Sequence, residues 1–349
     1  MKIAMQSSPF DRRDLFEKIG FDVVEAQCRT EDDLIALLED VDGAQVSTWP
    51  PTSRKVLEQC RKLKVVSRMG VGVDSIDLEA ATDLGILVCN VPGINTAEVA
   101  EHAVAMLLSL TRRLHDAASS TRTGAWGTDW ALTLTYMRTV RRIAAHTVGI
   151  IGFGDIGRAF ANRIRGFGPA KIIANDPYVD QNTADLYGVN LVGLEELLTT
   201  SDYITIHTSL TQETRHIINR DTLKLMKPTA ILVNTSRGAV VDTKALAVSL
   251  KNKQIEAAAL DVTEVEPIEP DDELLNLPNV IITPHLAGFS PQFLEECPIR
   301  QAENIIRVLS GRAPHGLANP EVIKTIAVMR STDPGRWANI PDFSTALSI

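Results

Sequence analysis

One glycine-rich segment in the middle of the chain has the spacing of a phosphate-binding turn. Gly152-Phe153-Gly154-Asp155-Ile156-Gly157 follows an apolar run and opens a helix-like stretch. Glycines at these positions let the backbone approach a pyrophosphate, whose charge is met by the N-terminus of the helix. Asp176 ends the next apolar run, 19 residues after Gly157, where an acid holds the ribose hydroxyls of a dinucleotide. The pattern predicts dinucleotide binding, and a tight turn without a ligand is the alternative.

The acid at position 176 also predicts which dinucleotide is bound. A carboxylate repels a 2′-phosphate, and no arginine adjoins Asp176 in the sequence. We therefore expect NAD rather than NADP.

Polar segments follow apolar runs at four later places. They are His207-Thr208-Ser209, Asn234-Thr235-Ser236-Arg237-Gly238, Asp261-Val262-Thr263-Glu264-Val265-Glu266-Pro267 and Thr283-Pro284-His285-Leu286-Ala287-Gly288. In open α/β sheets, ligands lie outside the carboxyl ends of the strands. These segments are therefore the ones expected to face a bound nicotinamide.

The apolar runs themselves predict a parallel sheet. Strand candidates cover 147–151, 171–174, 203–206, 230–233, 257–260 and 280–282, with helical or turn segments between them. This alternation favours a doubly wound α/β sheet.

The first ninety residues predict a second parallel sheet with covering helices. Leu34–Leu38 has helical apolar density, and 63–66 and 85–89 are strand candidates. Apolar residues at helical spacing predict one long helix from Thr96 to His115, packed on the core or on a partner subunit. Residues 116–145 are expected to be an irregular connection. The last twenty residues are expected to be a loose tail or one ordered by contact.

Composition narrows the class of protein. The chain has 349 residues, enough for two domains, and 35 basic against 44 acidic residues give a net charge of −9. Nucleic acid is therefore not an expected partner, because neutralising phosphates needs a basic surface. No apolar run approaches the roughly 18 residues of a membrane span, and the N-terminus lacks the apolar centre of a secretory signal.

The four cysteines predict neither a metal site nor a disulfide framework. Cys28, Cys60, Cys89 and Cys297 are far apart, with no C-x-x-C pair and no zinc spacing. We expect reduced, buried thiols in a cytoplasmic protein, and no bound metal.

Taken together, the ordered motifs resemble those of the D-isomer-specific 2-hydroxyacid dehydrogenases, the family that includes phosphoglycerate dehydrogenase and glycerate/hydroxypyruvate reductases. The matching segments are 68–74, 95–101, 152–157 with Asp176, 232–238, 260–262 with 266–267, and 283–285. The resemblance implies an α/β protein of two Rossmann-like domains with parallel sheets. The NAD-binding domain, 97–290, would be inserted into a flavodoxin-like substrate domain, 1–96 and 291–349. It also implies a homodimer with the active site in the interdomain cleft.

For catalysis, the resemblance points to Arg237, Glu266 and His285. Reduction of a 2-oxo acid needs a cation for the carboxylate, a hydride for the carbonyl carbon and a proton for its oxygen. Arg237 offers a planar fork for a carboxylate. His285 would move the proton while Glu266 holds the imidazolium, and nicotinamide carries the hydride.

The resemblance also implies the binding residues. Those for the cofactor are Gly152, Phe153, Gly154, Asp155, Ile156, Gly157, Asp176, His207, Thr208, Thr235, Ser236, Arg237, Asp261, His285 and Gly288. Asp261 and the backbone of Thr235 and Ser236 would orient the carboxamide. Those for the substrate are Val71, Gly72, Asn95, Thr96, Arg237 and His285.

Other histidines and one acid are left outside the site. His102, His115, His146, His216 and His315 match no catalytic motif and are expected to be structural or surface residues. Glu264 is not the expected acid partner, because the family's acid stands directly before the proline, as Glu266 does.

The chain departs from the phosphoglycerate dehydrogenases in its first domain. Where they carry an arginine-containing segment that grips the substrate phosphate, this chain has Ser47-Thr48-Trp49-Pro50-Pro51. We therefore expect a smaller or more apolar acid such as glyoxylate or hydroxypyruvate, with 3-phosphoglycerate as the alternative. A rival from another class is a corepressor-like scaffold that binds NAD without turnover, and a formate- or phosphite-oxidising enzyme is a further alternative.

Overall fold

Two parallel β-sheets organise the chain, each in its own unit. The computed structural model describes residues 1–332 and 334–342. One unit comprises Met1–Asn95 and Ser290–Ile349, and the other comprises Thr96–Phe289. The α/β class with two parallel sheets is as the sequence predicts. The expected domain limits at 96/97 and 290/291 each lie one residue from the limits of these units.

The elements follow one another along the chain in this order. The first unit contains β1 (Lys2–Gln6), α1 (Arg13–Glu17), β2 (Asp22–Ala26), α2 (Glu31–Leu38), β3 (Gly43–Val46), α3 (Arg54–Gln59), β4 (Val65–Arg68), α4 (Leu78–Asp83) and β5 (Leu87–Cys89). The second contains α5 (Thr96–Thr111), α6 (Leu114–Arg122), α7 (Ala125–Thr128), α8 (Trp130–Thr139), β6 (Thr147–Ile151), α9 (Asp155–Ile164), β7 (Lys171–Asn175), α10 (Gln181–Asp185), β8 (Asn190–Leu191), α11 (Leu194–Thr200), β9 (Tyr203–Ile206), α12 (Arg220–Leu225), β10 (Ile231–Asn234), α13 (Thr243–Lys251), β11 (Ala257–Leu260) and β12 (Val280–Ile282). The first unit then resumes with α14 (Pro291–Leu309), α15 (Val322–Thr332) and α16 (Pro334–Trp337).

The sheet of the first unit has the strand order β2-β1-β3-β4-β5, with parallel pairing throughout. Side chains from both faces are buried in separate apolar clusters, as expected of a parallel sheet covered on both faces. Ser290 caps the N-terminus of α14, and its hydroxyl accepts a hydrogen bond from Phe293 N at 3.0 Å. This cap fixes the point where the chain re-enters the first unit.

The sheet of the second unit is longer, with the order β12-β11-β10-β9-β6-β7-β8. All of its pairs are parallel, and the six strand candidates of the sequence are among its strands. The short edge strand β8 (Asn190–Leu191) is not predicted by the sequence, because two residues are too few to show an alternating pattern.

The prediction of one helix from Thr96 to His115 is confirmed as far as Thr111 and is wrong only after that residue. α5 ends at Thr111 and α6 begins at Leu114, because Arg113 adopts the left-handed conformation with φ of 51°. A residue in the left-handed conformation interrupts a right-handed helix.

The prediction of an irregular connection over residues 116–145 is also wrong. Most of it is helical, in α6, α7 and α8. None of the residues of these three helices is buried, and Trp126 and Trp130 are 72% and 62% exposed. The sequence does not predict these helices, because they bury no apolar face within their own unit and so lack the apolar spacing that marks a packed helix.

Of the two alternatives for the C-terminal tail, the part that the structure describes shows the one ordered by contact. Trp337 is completely buried in the core beside α14 and α15, and the guanidinium of Arg330 lies 5.6 Å from the centre of its ring. Arg336 donates a hydrogen bond from Nη1 to Leu84 O at 2.7 Å. Burial of a large aromatic side chain holds this segment on the first unit. Residues 343–349 lie outside the described part of the chain.

The four cysteines are buried free thiols, as the sequence predicts. Burial raises the pKa of Cys60 to about 12 and that of Cys297 to about 11, so neither thiol is a ready nucleophile. Within the described part of the chain, no helix has the length and apolarity that crossing a membrane requires.

Asn319 ties the C-terminal part of the first unit to its edge strand β5. Its side chain accepts from Val88 N at 2.8 Å and donates to Ile86 O at 3.0 Å, and the residue is 2% exposed. We expect Asn319→Ala to lower the free energy of unfolding in urea by about 2 to 4 kcal/mol, because two buried backbone groups lose their partners. Gln59→Ala, on the exposed end of α3, is the control and should change it by less than about 0.5 kcal/mol. Equal effects of the two substitutions would contradict this role.

Candidate functional site

The strands of the second unit end in one row. Asn175, Ile151, Ile206, Asn234, Leu260 and Ile282 are successive Cα partners across β7, β6, β9, β10, β11 and β12. The next residues along the chain therefore leave the sheet at the same edge. These are Asp176, Gly152, His207, Thr235, Asp261 and Thr283. Five of the six are cofactor-site residues of the sequence prediction.

The glycine turn between β6 and α9 is shaped by close packing at two positions and left open at the third. Gly152 has a φ of 87°, and a Cβ there would lie 2.6 Å from Thr208 N. A Cβ on Gly157 would overlap the carbonyl oxygen of Gly152, which closes the turn onto the helix. A Cβ on Gly154 would meet nothing within 4 Å. The open space at Gly154 is where a ligand's phosphates can approach the backbone.

Asp176 is bound to this turn. Its Oδ2 accepts from Phe153 N at 2.8 Å, and its Oδ1 accepts from Tyr178 N at 2.9 Å. Gly154, the residue before α9, makes no side-chain cap, so the first N–H groups of the helix have no such acceptor. A cradle that a Cβ would fill, a helix N-terminus and a carboxylate beside them fit a dinucleotide with a pyrophosphate and free ribose hydroxyls.

His207 follows β9. Its backbone packs against the glycine turn, and its ring carries no charge at physiological pH. Its carbonyl carbon would lie 2.7 Å from a Cβ on Gly152, so the two turns pack directly on each other. Its ring accepts or donates one hydrogen bond with Thr205 Oγ1 at 3.0 Å. Burial lowers the pKa of His207 to about 3, so the ring is neutral at physiological pH.

The turn after β10 is held by Asn234. Its Oδ1 accepts from Ser236 N at 3.0 Å, and its Nδ2 donates to Arg237 O at 2.9 Å. The guanidinium of Arg237 donates from Nη1 to Ser236 O at 2.7 Å. A Cβ on Gly238 would overlap the backbone of Thr263, so this turn packs against the acidic segment that follows β11.

Glu266 and His285 form a hydrogen-bonded pair. Glu266 Oε2 lies 2.7 Å from His285 Nδ1, and the side chains are 38% and 44% exposed. Thr263 N donates to the second carboxylate oxygen of Glu266 at 3.1 Å. His285 itself has a φ of 50°, in the left-handed region that few non-glycine residues adopt. The loop after β12 is thus bent to bring an imidazole to a carboxylate.

Glu264 has a different partner. Its Oε1 lies 2.6 Å from His216 Nε2, and its Oε2 accepts from Thr243 Oγ1 at 3.0 Å. Although burial opposes it, hydrogen bonds from His216 and Thr243 hold the pKa of Glu264 below its usual value. The contacts of Glu264 with His216 and Thr243 therefore hold the segment that leads from β11 to Glu266.

Asp261 is the most buried acid of the site. It is 1% exposed, and its carboxylate accepts hydrogen bonds from Thr283, Leu286 and Ala287, all in the loop that carries His285. His102 lies beside this carboxylate, and its Nε2 is 3.1 Å from Thr283 Oγ1. The sequence gives no sign of this contact, because 181 residues separate His102 from Thr283.

The remaining candidates are distributed over both units. Val71 and Gly72 follow β4 in the first unit, where Val71 is exposed and its carbonyl accepts from Asn90 Nδ2 at 2.7 Å. Asn95 is the last residue of the first unit's N-terminal part, and Thr96 begins α5 in the second. Gly288 lies in the loop after β12, just before the second unit ends at Phe289.

Known proteins resemble this chain over most of its length. Residues 104–287 match the family model described as D-isomer specific 2-hydroxyacid dehydrogenase, NAD binding domain. A glyoxylate reductase of Korarchaeum cryptofilum (strain OPF8) is 41% identical over 291 residues, which are 83% of this chain and 86% of that protein. A D-3-phosphoglycerate dehydrogenase of Methanocaldococcus jannaschii is 39% identical over 308 residues, which are 87% of this chain but 56% of that protein. The crystal structure of PH0520 protein from Pyrococcus horikoshii OT3 has a TM-score of 0.80 at 32% identity, covering 93% of this chain and 96% of that one.

Substitutions at the second and third glycines of the turn, Gly154 and Gly157, should separate the effect on ligand binding from the effect on folding. We expect Gly154→Ala to weaken NADH binding by about tenfold or more, because the methyl group fills the space open to the phosphates. Its free energy of unfolding should change by less than about 1 kcal/mol. Gly157→Ala should cost about 1 to 3 kcal/mol of folding free energy, because its methyl group overlaps Gly152 O. NADH fluorescence titration and urea unfolding measure both, and unchanged affinity in Gly154→Ala would contradict the assignment.

Proposed function

This chain belongs to the D-isomer-specific 2-hydroxyacid dehydrogenases, and on that basis we propose that it interconverts a small 2-oxo acid and its D-2-hydroxy acid with NAD(H). The observation that carries the proposal is the 2.7 Å contact between His285 Nδ1 and Glu266 Oε2, on the sheet edge that also carries Arg237. Bound NAD supplies the hydride chemistry.

The pair with Glu266 fixes the tautomer of His285. An ionised carboxylate only accepts hydrogen bonds, so Nδ1 of the imidazole carries a hydrogen. Nε2 is then the nitrogen that gives a proton to the carbonyl oxygen in reduction and removes it from the hydroxyl in oxidation. Glu266 stabilises the imidazolium by its negative charge and restricts rotation of the ring.

Arg237 is proposed to bind the substrate carboxylate. Its guanidinium is planar, is charged at every physiological pH and can donate two parallel hydrogen bonds. The backbone carbonyl of Arg237 is fixed by Asn234 Nδ2 at 2.9 Å, and Gly238 anchors the turn on Thr263. The arginine therefore leaves a rigid turn beside the segment that presents Glu266, which suits orientation of the 2-oxo acid.

The cofactor is proposed to lie along the row of strand ends. The turn 152–157 and the N-terminus of α9 would bind the pyrophosphate, and Asp176 the adenosine ribose. The bonds from Phe153 N and Tyr178 N to Asp176 hold its carboxylate at that place. A fixed negative charge there favours NAD over NADP. His207, Thr208, Thr235 and Ser236 would line the nicotinamide side.

The substrate is proposed to be glyoxylate, hydroxypyruvate or a similar short 2-oxo acid. The glyoxylate reductase of Korarchaeum cryptofilum matches along 86% of its length, whereas the chain spans about half the length of the phosphoglycerate dehydrogenase relatives. Trp49, 67% exposed after β3, stands in the segment where phosphoglycerate dehydrogenases carry an arginine. An indole cannot neutralise a phosphate, which disfavours 3-phosphoglycerate.

Steady-state assays of NADH oxidation test this function. We expect turnover with glyoxylate or hydroxypyruvate, and much weaker oxidation of 3-phosphoglycerate with NAD. His285→Asn should lower kcat by about 10² to 10⁴, because the proton donor is lost. Arg237→Ala should raise KM for the 2-oxo acid and lower kcat, because carboxylate binding and orientation are lost together. Both variants should still bind NADH measurably, since neither removes the pyrophosphate contacts at the glycine turn.

The same assays discriminate the rival function. A corepressor-like scaffold would bind NADH yet turn over no member of a panel of 2-oxo acids, formate and phosphite. Efficient turnover of 3-phosphoglycerate would favour the alternative substrate and exclude the proposed one.

We also propose that the protein is a cytoplasmic homodimer formed through the helices after α5. Leu114, Trp126, Trp130 and Met137 on α6, α7 and α8 are 54 to 72% exposed. Large exposed aromatic and aliphatic side chains, here carried by three consecutive helices, are typical of protein interfaces. The free buried thiols agree with a reducing compartment.

Analytical ultracentrifugation tests the oligomeric state. The wild-type protein should sediment as a dimer at micromolar concentration. Trp126→Ala combined with Trp130→Ala should raise the dimer dissociation constant by about tenfold or more, because two aromatic anchors are removed. Val248→Ala, which removes an exposed side chain of α13, is the control and should leave sedimentation unchanged. A wild-type monomer, or no effect of the tryptophan substitutions, would contradict this interface.

A further inference from the structure

The loop that carries His285 is fastened to one buried carboxylate. Asp261 Oδ1 accepts from Thr283 Oγ1 at 2.5 Å and from Leu286 N at 3.0 Å, and Oδ2 accepts from Ala287 N at 2.8 Å. The backbone N–H of His285 itself donates to Asp261 O at 2.8 Å. The loop is therefore held on both sides of the histidine by a single residue.

A histidine on α5 completes this cluster. His102 Nε2 lies 3.1 Å from Thr283 Oγ1 and 3.6 Å from Asp261 Oδ1, and its side chain is 20% exposed. The threonine hydroxyl has one hydrogen, which it donates to Asp261. Its oxygen must then accept from His102, so Nε2 of His102 carries a hydrogen. The direction of both hydrogen bonds is fixed, from His102 through Thr283 to Asp261.

The conformation of His285 explains why such a fastening is needed. A φ of 50° is strained for a histidine, and a residue stays in that region only when its surroundings impose it. The side chain is 44% exposed, so packing contributes little to the restraint. The hydrogen bonds from the loop to Asp261 restrain the backbone on both sides of this bend.

We propose that His102 and Thr283 are positioning residues for the reaction proposed above, on which this inference rests. Thr283 donates a hydrogen bond to the Asp261 carboxylate, and His102 fixes the orientation of the Thr283 hydroxyl. Together they hold the loop in the conformation in which the imidazole of His285 is hydrogen-bonded to Glu266 and can reach the substrate. Asp261 is the shared acceptor of this cluster, because its carboxylate accepts the hydrogen bonds from Thr283, Leu286 and Ala287. The cluster joins α5 to β11 and β12, which gives the exposed loop a rigid base.

Matched substitutions at both positions test the proposal in the full-length protein. Thr283→Val keeps the shape of the side chain and removes the hydroxyl, whereas Thr283→Ser keeps the hydroxyl. His102→Gln places an amide donor where Nε2 lies, whereas His102→Asn is too short to reach Thr283. For each variant, kcat, KM for the 2-oxo acid, the NADH dissociation constant and the melting temperature are measured, together with the ¹⁵N shifts of the His285 ring in the protein without cofactor.

We expect Thr283→Val and His102→Asn to lower kcat by about 10- to 100-fold, as misplacement of a reacting group does, while the NADH dissociation constant changes by less than about threefold. Thr283→Ser and His102→Gln should keep kcat within about threefold of the wild type. Combining Thr283→Val with His102→Asn should cost no more than Thr283→Val alone, because both remove the same hydrogen-bond chain. The His285 ring shifts should move in the two damaging variants only.

Three results would overturn the proposal. One is a kcat of Thr283→Val equal to that of Thr283→Ser. Another is a lower melting temperature with unchanged kcat and His285 shifts, which a purely structural role would give. The third is an inactive wild-type protein on the whole substrate panel, which would remove the proposed function as well. If the wild type is active and the variants have unchanged kcat and His285 shifts, only the positioning role is excluded.

Discussion

The site depends on one constraint, that six parallel strands of the second unit end on the same row. Hydrogen-bonded partners run from Asn175 to Ile282 across that row, so every following residue emerges at one edge of the sheet. Parallel pairing leaves no choice in this, because the strands all point the same way. Residues far apart in the sequence are thereby delivered side by side, and the turns between them only adjust direction.

The two ends of this row of strand ends are suited to different ligands. On the side of β6 and β7, the open space at Gly154, the N-terminus of α9 and Asp176 are suited to a dinucleotide. On the side of β10 to β12, Arg237, Glu266 and His285 are suited to an acid and its proton. Both anions must approach a protein with a net charge of −9. In the function proposed here, the backbone N–H groups at the start of α9 and the guanidinium of Arg237 are the groups that would supply the local positive potential.

The sequence predicts best what repeats or follows a spacing. The strands of the second sheet other than β8, the glycine turn and Asp176 are predictable because apolar runs and motif distances are local. The helices α6 to α8 were missed because their apolar side chains face outward, and the break at Arg113 because a left-handed residue leaves no compositional trace. The contact between His102 and Thr283 could not be predicted, since it forms only when α5 packs beside the end of β12 in the folded unit. The same holds for Glu264, whose neighbour His216 is 48 residues away.

Transfer of deuterium is the most direct test of the central claim, that this sheet edge carries hydride between nicotinamide and C2 of a D-2-hydroxy acid. Hydroxypyruvate and glyoxylate are incubated with the protein and NADH that carries two deuterium atoms at C4, and the products are analysed by mass spectrometry and chiral chromatography. We predict one deuterium at C2 of glycerate or glycolate, and glycerate of the D configuration only. Products without label, L-glycerate, or no product from either acid would contradict it.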